Sequence, residues 1–297
     1  MVALGVMFGL LTAVLQSVAY LLSRNYGLRA GGGMVRLLVK SHVIQAVVAV
    51  PFVWLLWSSE LPPWGQWIWP TVGVGAFYLV GQMGLFLALK RTTASRVSPL
   101  LGLKVAILAV LTAAWLGDDV SAWQWAAVGL AVAAAFAINY TGGPLPTAAV
   151  VTMLVTCTGY ALSDVCIRLM IEAMEPLPPT HAALLGVVLV YFGCGVVLAP
   201  LLPWYGSRRV KPWLRVMPYA WTWLISMATL FVCFALVGVV LGNILQSTRG
   251  VISILLVPLV VGRGFVHVET QLPRAVFWRR VGAAVMMFAA VVLYLAG

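Results

Sequence analysis

The chain is organised as long apolar runs separated by short polar stretches. Within each run the apolar residues are continuous rather than alternating, which favours helices over the strands of an outer-membrane barrel. Each run reaches the roughly 20 residues that a helix needs to cross a hydrocarbon core. We therefore predict an all-α integral membrane protein with ten spans. They cover residues 3–23, 34–57, 66–89, 97–116, 122–141, 148–171, 181–203, 217–241, 244–263 and 275–296.

The charged residues divide between the two sides of the membrane. Fifteen of the 18 lysines and arginines fall in or beside the odd-numbered loops, and the even-numbered loops hold five acidic residues and no basic one. The positive-inside rule then places both termini outside, and we expect the plasma (inner) membrane. With one helix more or fewer, basic residues would fall on both sides of the membrane. The partition therefore supports the count of ten spans. The net charge of +11 reflects topology, and we expect no nucleic-acid partner.

A connector divides the chain into two halves of five spans. The stretch NYTGGPLPT at 139–147 contains helix breakers, so we predict a first repeat at 1–141, a connector at 142–147 and a second repeat at 148–297. An odd number of spans per half gives the halves opposite orientations, as in inverted-repeat transporters. Lys104 and Arg249 occupy matching positions, each early in the fourth span of its half.

Several short motifs carry a resemblance to a known family. They are RVSPLL (96–101), LGDD (116–119) with Gly129, and in the second half STRG (247–250), Glu269 and Gly282. With these motifs the chain resembles the drug/metabolite transporter superfamily, in particular its ten-helix EamA-type members. The resemblance implies two inverted five-helix repeats and alternating access. Relatives carry diverse metabolites, so the fold alone names no substrate.

Two cations inside predicted spans are the main candidates for substrate binding. Lys104 lies eight residues past Arg96, roughly 12 Å deep at a rise of about 1.5 Å per residue. It either lines a central cavity or pairs with a carbonyl group or with Asp164. Arg249 either snorkels to the outer interface or lines a hydrated vestibule together with polar neighbours such as Gln246. Ionisable residues inside membrane spans are candidates for function by default.

A second group of candidates surrounds Asp164. Asp164 and Arg168 are four residues apart on the sixth span, which is the favourable helical order of acid before base. They form either a neutralising pair, with Arg168 snorkelling outward, or a proton or amine site that Tyr160 extends. Weaker candidates, which either line a transport path or pack structurally, are Gln16, Tyr20, Tyr78 and Gln82.

The leading hypothesis is a secondary transporter in which Lys104 and Arg249 bind a phosphorylated or carboxylated metabolite. The alternatives are a flippase for an anionic or lipid-linked headgroup, a proton-coupled exporter that uses Asp164, a membrane enzyme, and a channel or partner subunit. We find no P-loop and no clustered catalytic acids, so we expect no enzyme, no cofactor and no metal. The expected partners are the substrate and the bilayer, and a homodimer is left open. We expect the cysteines to be free apolar thiols and the histidines to lie at the interface.

Overall fold

The computed structural model describes residues 1–30, 33–89, 98–139, 146–249, 252 and 274–297. These residues form helices and turns and contain no β-strand. The longer helices are α1 (Val2–Ala30), α2 (Gly33–Leu56), α3 (Trp64–Leu89), α4 (Leu103–Trp115), α5 (Ala122–Asn139), α6 (Thr147–Ala173), α7 (Pro179–Leu198), α8 (Met217–Val237), α9 (Val239–Ser247) and α10 (Arg274–Ala296). A 3₁₀ turn at Ser98–Gly102 leads into α4, and short helical turns at Ala199–Leu201, Leu202–Tyr205 and Lys211–Leu214 separate α7 from α8.

Six helical stretches in the described part of the chain are long and apolar enough to cross a membrane. They are Val2–Ser23, Gly33–Leu56, Trp64–Leu85, Thr147–Ala173, Pro179–Tyr205 and Lys211–Val237. Three shorter apolar helices lie at Leu100–Trp115, Ala122–Ala137 and Val281–Ala296. The predicted all-α class is therefore confirmed. The count of ten spans stays a prediction, because most of the predicted ninth span, 244–263, lies outside the described residues.

The boundary between the predicted eighth and ninth spans was placed wrongly. The chain leaves the helix at Gly238 rather than after residue 241, and α9 begins at Val239. Gly238 has φ +80° and ψ 164°, a conformation that is essentially restricted to glycine. The run around Gly238 is apolar on both sides, so hydrophobicity along the chain does not mark the break. Asn243 consequently sits in the middle of α9 rather than between two spans.

The first helix extends further than predicted, to Ala30 rather than residue 23. The predicted end was set by the loss of apolar residues after Ser23. Loss of hydrophobicity marks the end of the membrane-crossing part, and a helix continues beyond it until a breaker intervenes. Residues 24–30 contain no proline, and the helix runs through them.

The helices cluster into two compact units. The first unit comprises Met1–Ala76 and Cys166–Val237. In it α1 packs on α8, α2 packs on α7, and α7 packs on α8. Gly195 permits the contact between α2 and α7, since a Cβ atom added there would lie 2.5 Å from the backbone oxygen of His42.

The second unit comprises Phe77–Val165 and Gly238–Gly297. In it α5 packs on α10, while α4 contacts α5, and α9 contacts α4, α5 and α10. The parts of α3 and α6 in this unit approach closely, because a Cβ atom on Gly159 would lie 2.9 Å from the backbone nitrogen of Gly81. The units take segments from both predicted sequence halves. The repeats at 1–141 and 148–297, which are defined by chain order, stay a prediction.

The first unit has a polar interior that the sequence did not predict. Lys40, near the start of α2, is only 4% exposed and holds its ammonium 5.9 Å from the centre of the Trp213 ring. His42, expected at the interface, is 1% exposed, and its ring stacks on Tyr191 with 5.8 Å between centroids. A cation over an indole face recovers part of the cost of leaving water. Both residues face neighbouring helical segments, a feature that distance along α2 does not reveal.

Candidate functional site

The centre of the candidate site is a buried ion pair in the second unit. The Lys104 ammonium, in the first turn of α4, lies 2.7 Å from Oδ2 of Asp164 on α6. The two side chains are 11% and 6% exposed, so water screens the pair weakly. The sequence reading left open whether Lys104 pairs with Asp164, and the structure brings them together. Sixty residues separate them along the chain.

A third helix completes the coordination of the Asp164 carboxylate. Nδ2 of Asn243 donates hydrogen bonds to Oδ2 of Asp164 at 2.7 Å and to the carbonyl oxygen of Val239 at 2.8 Å. Asn243 is fully enclosed in the protein and lies on α9, which the Gly238 break separates from α8. The same carboxylate oxygen therefore accepts from a lysine and an amide on two different helices. Asn243 is not among the site residues predicted from the sequence.

Arg249 adds a second positive charge to this cluster. It follows the end of α9 by two residues and is partly buried. The charges of Lys104 and Arg249 both act on the Asp164 carboxylate, with the larger effect from Lys104. Gln246 and Thr248, which lie just before Arg249, are buried. Lys104, Asp164 and Arg249 together carry one net positive charge.

Aromatic and amide side chains continue the cluster away from Lys104. The Lys104 ammonium lies 5.8 Å from the centre of the Tyr160 ring, and the Tyr78 and Tyr160 ring centres are 6.2 Å apart. Nε2 of Gln82 donates to the Tyr78 hydroxyl at 3.1 Å. Gly81 makes this arrangement possible, because a Cβ atom there would lie 2.6 Å from the Tyr160 ring. Three residues predicted from weak or separate signals, Tyr160, Tyr78 and Gln82, thus continue the cluster that contains Lys104.

Three predicted residues lie in the first unit instead. Arg168 pairs through Nε with Oε1 of Glu172 at 2.7 Å, near the C-terminal end of α6. Gln16 is fully buried in α1. Tyr20 meets Trp223 edge-on, with ring centroids 6.0 Å apart. Their proposed roles in binding stay predictions.

The first unit also holds a buried hydrogen-bonding cluster. The hydroxyls of Thr12 and Thr229 share a hydrogen bond of 2.8 Å between α1 and α8. Nε1 of Trp223 donates to the Tyr191 hydroxyl at 2.9 Å, and Nε2 of Gln45 donates to the carbonyl oxygen of Ala220 at 3.0 Å. These bonds join neighbouring helices and satisfy polar groups that would be costly to bury alone.

The chemistry available in the second unit is recognition of charge. Among the described residues, no group of three histidine, cysteine or acidic side chains is placed to hold a metal ion. All four cysteines are free, and the Cys157 thiol donates to the carbonyl oxygen of Leu100 at 3.1 Å. The cluster offers an ammonium, a guanidinium and a carboxylate, together with tyrosine faces. Such a set suits binding of an anion whose remainder is apolar or carries hydroxyls.

Comparisons with known proteins bear on the class of the chain. A solved crystal structure, described only as that of a protein, is 16% identical and superposes with a TM-score of 0.64 over 95% of each chain. At that identity the likeness shows the fold alone. No protein with a curated description matches. A family model does match, over residues 3–140, and it describes the EamA-like transporter family. Together with the apolar helices, this match makes the chain a multi-pass membrane protein. The match of residues 3–140 to the EamA-like transporter family is consistent with the drug/metabolite transporter superfamily and confirms the predicted resemblance for that part of the chain.

Proposed function

We propose that this membrane transporter carries a small organic anion, phosphorylated or carboxylated, by alternating access. The observation that supports the proposal best is the charge cluster formed by the buried pair Lys104–Asp164 and the partly buried Arg249, whose formal charges add up to one positive charge. Two cations that act on one carboxylate also attract a further anion, and a lysine and an arginine both donate hydrogen bonds to carboxylate or phosphate oxygens. In this proposal Lys104 and Arg249 bind the anionic group.

The other parts of the cluster suit the rest of such a substrate. Tyr160 and Tyr78 present aromatic rings beside the Lys104 ammonium, and Gln82 holds the Tyr78 hydroxyl. An arginine offers a planar fork of donors that matches carboxylate or phosphate oxygens, and a lysine supplies a point charge. The two cations would therefore contribute differently, with Arg249 orienting the anion and Lys104 contributing mainly charge.

The proposal includes the predicted topology. Ten spans in two inverted halves, with both termini outside, follow from the charge partition and the span parity. Inverted-repeat transporters bind substrate near the midplane, where their repeats meet. Lys104 and Arg249 hold equivalent positions in the two predicted halves, so this architecture would bring two cations to one substrate.

The alternative in which Asp164 binds a substrate amine has less support. The Oδ2 atom of Asp164 already accepts from the Lys104 ammonium and from the Asn243 amide. A substrate amine would have to compete with a lysine that is held in place by the fold. A lipid headgroup, by contrast, presents the same anionic chemistry as a soluble metabolite, and the experiment below separates the two sources.

The test is thermal stabilisation of the purified protein in detergent. The anionic probes are sulfate, succinate and glycerol 3-phosphate, with glucose and lysine as neutral and cationic probes and phosphatidylglycerol as the lipid probe. We expect an anion to raise the midpoint of unfolding in the wild type and in Arg208→Gln, which removes an exposed arginine. The shift should be lost in Arg249→Gln and in Lys104→Gln.

Each probe result has a distinct meaning. Stabilisation by phosphatidylglycerol alone, lost in both site variants, would move the substrate class to lipid headgroups. Stabilisation only by lysine, retained in both site variants, would contradict the anion site and favour Asp164 as the binding group. Anion-induced shifts of equal size in the wild type and in both site variants would also refute the assignment of Lys104 and Arg249.

A further inference from the structure

The cation proposed to bind the substrate already has a partner. The Lys104 ammonium lies 2.7 Å from Oδ2 of Asp164, and the amide of Asn243 donates to the same oxygen at 2.7 Å. Both side chains of the ion pair are almost enclosed in protein. A second anion that contacts Lys104 directly must compete with the Asp164 carboxylate, since the two negative groups would repel each other at that distance.

Displacement of Asp164 from Lys104 would leave a buried carboxylate without its main counter-charge. Of the charged groups that act on Asp164, Lys104 contributes most and Arg249 less, and Asn243 contributes a neutral hydrogen bond. Arg249 is itself proposed to bind the anion, so its charge would be shared. A buried carboxylate in this situation is stabilised most simply by taking up a proton, because the neutral form avoids the cost of an isolated buried charge.

The local geometry accommodates a neutral Asp164. The Asn243 amide donates its hydrogen bond, and the carbonyl oxygen of a protonated carboxyl group still accepts one. Tyr160 lies one turn before Asp164 on α6, and its ring is already in contact range of the Lys104 ammonium. Lys104 can therefore change partners while α6 and α9 remain linked through Asn243 and Asp164.

We propose that an anion bound at Lys104 replaces Asp164 as the partner of the ammonium, and that Asp164 takes up one proton from water as this happens. The proposal rests on the anion site described above and deepens it. The charges balance: the ammonium keeps its proton and exchanges a carboxylate for the substrate anion, while the carboxylate becomes a neutral carboxyl group. Anion and proton are then loaded together and carried in the same direction.

The direct test is proton uptake by the wild-type protein on binding an anion. The protein is titrated in weakly buffered detergent solution with sulfate, succinate or glycerol 3-phosphate, at a slightly alkaline pH where all three ligands are fully ionised. We expect about one proton to be taken up per bound anion, and the affinity to fall by up to about tenfold for each unit rise in pH. Binding without proton uptake, and with an affinity independent of pH, would overturn the inference.

Two variants separate this inference from the anion site itself. Asp164→Asn should bind the anion at least as tightly as the wild type, without proton uptake, because Lys104 no longer has a competing carboxylate. Glu172→Gln removes a carboxylate from the exposed pair on the same helix and should leave proton uptake unchanged. If Asp164→Asn does not fold, the wild-type titration decides alone.

The failures of the two proposals look different. Anion binding that requires Arg249 but takes up no proton would contradict the exchange at Lys104 and leave the anion site intact. Absence of any binding by the three anions, under conditions where the protein is folded, would refute the anion site and the inference together.

Discussion

Neutralising one member of the Lys104–Asp164 pair should destabilise the protein far more than neutralising both. The two charges are 2.7 Å apart, which at an effective dielectric constant of about 20 corresponds to a gross attraction of about 6 kcal/mol. Most of this attraction is offset by the cost of removing both groups from water. Loss of a single partner keeps that cost for the remaining charge, so we expect each single variant to lose about 3–5 kcal/mol of unfolding free energy.

Because the surroundings of the pair differ for its two members, the two single variants should lose different amounts of unfolding free energy. Asp164→Asn leaves the Lys104 ammonium without its carboxylate and removes the negative charge on which Arg249 also acts. Lys104→Gln leaves the carboxylate with the Asn243 amide and the charge of Arg249. We therefore expect Asp164→Asn to cost more than Lys104→Gln. The double variant places two neutral amides side by side and should lie closer to the wild type than Asp164→Asn does.

The assay is a double-mutant cycle of unfolding free energies in mixed micelles, with increasing denaturing detergent. We expect a coupling free energy of at least about 2 kcal/mol between Lys104 and Asp164. The control cycle is Arg168→Gln with Glu172→Gln, a pair with the same 2.7 Å separation but with side chains 30% and 55% exposed. Its coupling should be about 0.3–0.5 kcal/mol, as for exposed helical pairs. Additive single-variant effects at Lys104 and Asp164 would refute the reasoning.

Three further predictions concern packing, the helix break and topology. Gly195→Ala should lower the unfolding free energy by about 1–3 kcal/mol, because the added Cβ atom would clash with the backbone of His42. Gly193→Ala on the same helix is the control: its Cβ atom would contact no other atom within 4 Å, so thermal unfolding should be nearly unchanged. Gly238→Ala should lower the unfolding free energy by about 1–3 kcal/mol, because φ is +80° there. It should also weaken anion binding by moving Asn243 away from Asp164, and an unchanged affinity would contradict this role of the helix break. A cysteine added after Gly297 should react with a membrane-impermeant reagent on intact cells; labelling only after permeabilisation would reverse the predicted orientation.

The sequence singled out the charged residues of the candidate site because a charge inside a membrane span is costly. Lys104, Asp164 and Arg249 each interrupt an apolar run, and a charge in such a run requires a partner or a cavity. This reasoning needs no knowledge of the fold. The helical class could be predicted from the apolar runs, and the transporter family from short motifs within and beside them.

The pairing of these charges could not be read from the sequence. Asp164 has Arg168 four residues later and Lys104 sixty residues earlier, and helical spacing favours the near neighbour. The structure gives Arg168 a different acid, Glu172, at the same helical spacing. The pairs Asp164–Arg168 and Arg168–Glu172 have the same spacing along the helix. Which of them forms depends on the side chains that neighbouring helices place beside Asp164. Here α4 contributes the lysine, and α9 contributes the amide of Asn243.

The buried polar groups of the first unit were missed for a related reason. His42 and Lys40 lie near the start of a span, where position along the helix suggests an interface. Their burial is decided by direction around the helix axis. The first half of α2 mixes apolar residues with polar ones such as Ser41 and Gln45, so its sequence does not show which face other helices cover. Only the positions of Tyr191 and Trp213, far along the chain, reveal the contacts.

The most direct test of the central claim is counterflow in proteoliposomes. Vesicles loaded with unlabelled glycerol 3-phosphate or succinate are diluted into a trace of the labelled anion, with wild type, Arg249→Gln and Arg208→Gln reconstituted side by side. We expect saturable accumulation of label that is lost in Arg249→Gln and kept in Arg208→Gln, with all three proteins equally folded. Equal counterflow in wild type and Arg249→Gln would contradict an anion site built on Lys104 and Arg249.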